Sequence, residues 1–135
     1  MRIKSAVLIL SSLALAAPAA AAELSSGKEL VEACTIYAAK DENAIHDPDP
    51  CRRFLVGFFT AFKTSEDAHR DAMVKGLPAA ATSSCVRLPD FLSYRDMAQR
   101  IVKYGNAHGA ELAAPPRDLA QHTLETDFPC PPRQH

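Results

Sequence analysis

The residues able to do chemistry in this chain are four cysteines, five histidines and two clusters of carboxylates. The cysteines are Cys34, Cys51, Cys85 and Cys130; the histidines are His46, His69, His108, His122 and His135. A thiolate beside an imidazole base would make a nucleophile. The same residue types in C-x-x-C spacing, or as histidines four apart on a helix, would hold zinc. Neither spacing occurs: the nearest cysteines are Cys34 and Cys51, and no two histidines stand four apart. G-x-S-x-G, a phosphate-binding glycine loop and a dinucleotide fingerprint are also missing. The carboxylates gather as Asp41, Glu42, Asp47 and Asp49, and as Glu66, Asp67 and Asp71, the second set mixed with His69, Arg70 and Lys75. A carboxylate pair becomes an acid–base couple when burial raises one pKa. Both clusters have polar neighbours and read as solvated surface, with Asp47, Asp49, Glu66 and Asp67 as candidate contacts for a protein partner. The sequence therefore predicts no catalytic residue, no metal site and no cofactor.

What the thiols do depends on their compartment, and the N-terminus speaks to that. Arg2 and Lys4 form a short basic region, Ala6–Ala17 is apolar apart from Ser11 and Ser12, and Pro18 and Ala19–Ala22 follow. This is the pattern of a secretory signal peptide over residues 1–22, cleaved before Glu23. A spanning helix wants about 20 apolar residues, and Pro18 interrupts this run, so no membrane anchor is expected after cleavage. Cys34 lies too far from the cleavage site for a lipoprotein. The reading is of one exported, periplasmic domain over residues 23–135. In an oxidising compartment four cysteines read as two disulfides, with three pairings open.

Composition narrows the partners. Fifteen Lys and Arg stand against 16 Asp and Glu, and removing Arg2 and Lys4 leaves the rest acidic by three. Nucleic-acid binding needs a basic surface, so that class is excluded. At 47% hydrophobic and 23% charged the chain can bury a core.

The elements that must position these residues read as helices separated by proline-marked loops, an all-α bundle of four to five helices. The first starts at Ser26, where Ser26 and Glu29 fit a capping box, and buries Leu30, Val31, Cys34 and Ala38, with Tyr37 beside them. The segment Asp41–Pro50 ends it, since Pro48 and Pro50 cannot sit inside a helix. The second begins around Cys51 with Cys51, Leu55, Phe58 and Phe62 on one face. Phe54, Phe59 and Ala61 widen that stripe, which predicts a helix central to the core. Gly57 inside it predicts close approach of a neighbouring helix. Thr64–Lys75 fits either a continuation or an exposed turn, and residues 76–92 read as a long connection. The third helix is capped by Ser93 and Asp96, buries Met97, Ile101 and Tyr104, and is punctuated by Gly105 and Gly109 as stop signals. The fourth opens at Pro115-Pro116, turns Leu119, Thr123 and Leu124 inward, and stops at Pro129. No period-2 alternation predicts a strand. A hairpin of the last two helices brings Cys85 near Cys130, while Cys34 and Cys51 straddle the first turn.

Three stretches carry a resemblance. Gly27–Cys34 reads G-x-x-L-x-x-x-C, Cys51–Phe58 reads C-x-x-[aromatic]-x-x-G, and Cys85, the Ser93–Tyr104 helix and Phe128-Pro129-Cys130-Pro131 follow in order. This order resembles the Rap/Tai-type immunity proteins. The resemblance implies a small exported helical protein with the bridges Cys34–Cys51 and Cys85–Cys130. It also implies binding to, and inhibition of, a peptidoglycan amidase toxin of a type VI secretion system. The chain departs from the pattern at Tyr104-Gly105, where the family has Tyr-Leu with a proline soon after, and because toxin contacts in such proteins lie in variable loops, no inhibitory residue is carried over. A homodimer is a further option for the apolar surface. The alternative reading is a periplasmic structural or stress protein that binds unfolded clients.

Overall fold

In the computed structural model the described residues are 23–41, 49–76 and 85–131. They form α1 (Gly27–Ala39), α2 (Pro50–Val74), α3 (Tyr94–Ala107), a short 3-10 helix η1 (Gly109–Ala113) and α4 (Pro116–Asp127). The all-α expectation holds: among the described residues the one β contact is an isolated bridge between Val86 and Pro129. The expected signal segment 1–22 and the loop residue Asp47 lie outside the described residues.

Side chains start and stop these helices. Ser26 Oγ accepts the Glu29 amide at 3.3 Å. Glu29 reaches one residue further back than a capping box would have it, to Ser25 N at 2.7 Å and Ser25 Oγ at 3.0 Å. Those bonds hold its carboxyl below the usual carboxylate range. At α3 the box is reciprocal between Ser93 and Asp96, as expected. Pro50 and Pro116 each occupy a first helical position, where a missing N–H costs no hydrogen bond. Pro50 thus belongs to α2 and does not lie outside it. The ambiguous Thr64–Lys75 segment is helical through Val74, and Gly76, at φ 66°, closes it in the left-handed conformation common after a helix end.

The core centres on α1, not on the aromatic helix. α1 touches α2, α3, η1 and α4, and buries Leu30, Val31, Ala33, Cys34 and Tyr37. Among the described residues α2 buries only Cys51, Leu55 and Phe58, all in its first three turns. α3 adds Met97, Ala98 and Ile101, and α4 adds Leu119, Ala120, Thr123 and Leu124. Close packing falls on glycines other than the expected one. Gly57 is exposed with open space where a side chain would go, whereas a Cβ at Gly105 would collide with Val31 Cγ2. Gly105 is therefore the packing contact between α3 and α1, and the helix continues through it to Ala107. Gly27 is tight too: a Cβ there would stand 3.0 Å from Glu111 O and from Leu119 Cδ1.

Both bridges pair as expected, Cys34–Cys51 with Cα atoms 5.0 Å apart and Cys85–Cys130 with Cα atoms 5.4 Å apart. The first ties α1 to α2. The second ties the segment before α3 to the end of α4, beside the Val86–Pro129 bridge and an Arg87 N to Phe128 O bond of 2.9 Å. Arg95 of α3 caps the carboxyl end of α1, donating to Ala38 O at 3.0 Å and Lys40 O at 2.7 Å. A guanidinium there meets the carbonyls that a helix end leaves unpaired.

Candidate partner-binding surface

Beyond Phe62, α2 has no buried residue among those described, so its second half runs past the core. The polar sequence Lys63–Lys75 is why: it keeps helical propensity but offers little apolar area to bury. Where this arm leaves the body, Phe59, Phe62, Lys63, Glu66, Asp67, Arg70 and Leu88 line an open hollow. Six of these seven lie at helical spacing on one face of α2. The aromatic rings at the arm's root are mutually supported. Phe58 meets Phe59 edge-on at 5.5 Å and stacks with Phe62 at 6.3 Å, and Phe59 leans on Tyr94 at 6.3 Å. The hollow thus has an apolar floor of packed rings and a rim of both charge signs. On that rim Arg70 sits 3.6 Å from Asp67, both largely exposed, so the pair is screened and available to rearrange.

The structure separates the four carboxylates proposed from sequence. Glu66 and Asp67 come together on the rim of the hollow and are exposed. Asp47 lies outside the described residues. Asp49 is corrected: it is 3% exposed, so it offers no carboxylate to a partner. It caps α2 instead, accepting Arg52 N at 3.2 Å, and pairs with Lys40 Nζ at 2.8 Å. Lys63 and Leu88 have no place in the sequence reading, and Arg70 enters it only as a neighbour of the second carboxylate cluster, not as a contact. The two cations continue the i, i+3, i+4 register of Phe59 and Phe62 and could have been found by extending that stripe. Leu88 has no such signal, because it arrives from another part of the chain.

All four thiols are consumed as disulfides, so a Cys–His couple has no sulfur to work with. Among the described residues no group of three or more His, Cys, Asp or Glu could hold a metal ion. No helix among them is long and apolar enough to cross a membrane. The surface combines an apolar floor with exposed charges of both signs, the chemistry by which one protein surface recognises another.

The family model described as Rap1a immunity proteins matches residues 26–130, from the cap of α1 to the last cysteine. Neither a curated protein nor a solved structure matches the chain.

Proposed function

The chain belongs to the Rap1a immunity protein family, and from that premise we propose that it is the periplasmic antidote to a peptidoglycan amidase toxin delivered by type VI secretion. The observation that carries this reading is the family match across the whole helical body. Family membership supplies the coarse function, an immunity protein that binds a toxin. The amidase and the delivery system follow the resemblance to Rap/Tai-type proteins. The pair of disulfides suits an oxidising compartment outside the cytoplasm, and a signal cleaved after Ala22 would deliver the chain there.

An inhibitor of this kind needs no reacting group. It needs a surface already in its bound shape, so that little ordering entropy is lost on association. The bridged body meets that need, and the arm of α2 with its hollow is the surface we assign to the toxin. Glu66 and Asp67 would steer a basic cleft, and Phe59, Phe62 and Leu88 would take an apolar anchor.

The test is co-expression with a periplasmic amidase encoded beside this gene. Protection of the cells, and a stable complex on purification, are the expected results. If no such neighbour exists and cells facing periplasmic amidases gain no protection, the reading fails. Mass spectrometry of the exported protein should find Glu23 at its N-terminus. Retention of Met1 or Arg2 on membrane-bound material would overturn the cleavage.

A further inference from the structure

On the opposite side of the sequence from the α2 arm, one carboxylate holds η1 in place. Glu111 accepts the Tyr104 hydroxyl of α3 at 2.9 Å through Oε1, and meets His122 Nδ1 of α4 at 2.7 Å through Oε2. η1 in turn holds the start of α1. Gly27 N, a donor that a helix start leaves unpaired, donates to Ala114 O at 2.8 Å. Within η1, Ala114 N donates to Glu111 O at 3.0 Å, and Glu111 N to His108 O at 2.9 Å. The η1 backbone also lies close to Gly27: a Cβ there would stand 3.0 Å from Glu111 O. A change at Glu111 is therefore passed through one short helical turn to the first residue of the central helix.

We propose that the Glu111–His122 contact is a proton-operated latch: with His122 charged it fastens η1 to α4, and with His122 neutral it slackens, loosening the hold of η1 on the N-terminus of α1. A neutral ring can still offer one hydrogen bond, but it loses the charge that makes such a bond strong.

The surroundings set the direction. Facing His122 are Glu111 from η1 and Asp118 and Glu125 from α4, all favouring the imidazolium. Tyr104 of α3 bonds Glu111. His108, after α3, stacks on Tyr104 at 4.0 Å and also faces Glu111. α1 meets this corner through Gly27. The hydrogen bond to Glu111 pushes His122 above its ordinary 6.5, against the opposing effect of burial. The same bond to His122 holds Glu111 below its ordinary 4.5. For a raised histidine the stabilisation is complete below the unfolded value and is lost as pH rises through the folded one. For a lowered carboxyl it is complete above the unfolded value and lost as pH falls through the folded one. The latch is thus closed in the mildly acidic range between the two ordinary values, and opens as pH rises through the raised value of His122.

Amide hydrogen exchange by NMR on the purified, oxidised protein tests this, with rates referred to the intrinsic rate at each pH. Protection of the Gly27 and Ala114 amides should fall roughly two- to fivefold from pH 5.5 to 8.5, the range of a part-exposed ion pair. The midpoint should coincide with the His122 ring titration. His122→Gln, and Glu111→Gln, which keeps an acceptor for Tyr104, should each flatten the profile. His108→Gln should leave it in place. Flat protection in the unsubstituted protein, or a pH dependence that survives His122→Gln or vanishes in His108→Gln, overturns the latch.

Discussion

Gly57 and Gly105 both lie inside helices, yet their substitution should have opposite effects. Gly57 is exposed with nothing near its missing side chain, so Gly57→Ala should stabilise by about 0.5–1 kcal/mol through helix propensity and a less flexible unfolded chain. Gly105→Ala drives a methyl into Val31 Cγ2. Valine is stiff about its first side-chain bond, so the helices must part, at about 1–3 kcal/mol for overpacking. Urea unfolding of the two variants should show midpoints displaced in opposite directions, and a shared direction would show that Gly105 is not the contact. Asp49 gives a second test at this scale. Asp49→Ala removes a cap and leaves Lys40 without its carboxylate, at a cost of about 1–3 kcal/mol. Asp49→Asn, which keeps the cap acceptor, should lose less. Equal melting temperatures for Asp49→Ala and the parent protein would return this residue to the list of surface contacts.

At the scale of the element, α2 divides into a packed first half and an arm that buries nothing after Phe62 among the described residues. Ala68→Pro should break the arm by removing a helix hydrogen bond and clashing with the preceding turn. The amides around the substitution should lose protection while those near Leu55 keep theirs, and cooperative unfolding of the body should persist. A general loss of protection would mean that the arm is integral to the core. Glu66→Ala with Asp67→Ala removes charges that are exposed, so stability should shift by less than about 0.5 kcal/mol. On the proposed function the pair should slow association with the toxin and flatten its salt dependence. Unchanged association kinetics would move the contact surface elsewhere.

For the whole molecule the two bridges differ in burial and in the loop they close. Cys34 and Cys51 are fully buried, while Cys85 is exposed. The sequence separations are 17 and 45 residues, which by the loop-entropy argument stabilise by about 3 and about 4 kcal/mol. The more stabilising bridge is therefore also the more accessible. Mild reduction of the native protein, trapped by alkylation and read by mass spectrometry, should modify Cys85 and Cys130 first. Cys34 and Cys51 should react only once the body unfolds, because a reductant must reach the sulfur to attack it. The reverse order would contradict the burial of the α1–α2 bridge.

The features legible in the sequence were those whose partners lie within about one helical turn. Ser26 and Ser93 as caps and Pro116 at a first position involve near neighbours, so a local pattern contains both members, and the buried stripes of α1 and α4 show as local periodicity although what covers them is distant. The bridges needed more than the cysteines, which leave three pairings open: it was the hairpin geometry together with the family resemblance that pointed to Cys34–Cys51 and Cys85–Cys130. The tertiary structure alone decided which glycine packs, since Gly57 and Gly105 have equal freedom and differ only in that Val31 stands opposite one of them. It alone buried Asp49 beside Lys40, brought Leu88 to the root of the α2 arm, and joined Glu111 to His122. It also moved the centre of the core from the aromatic-rich α2 to α1. The stripe on a helix reports how much apolar surface it carries, but the number of neighbours that cover it is set by where the other helices pack.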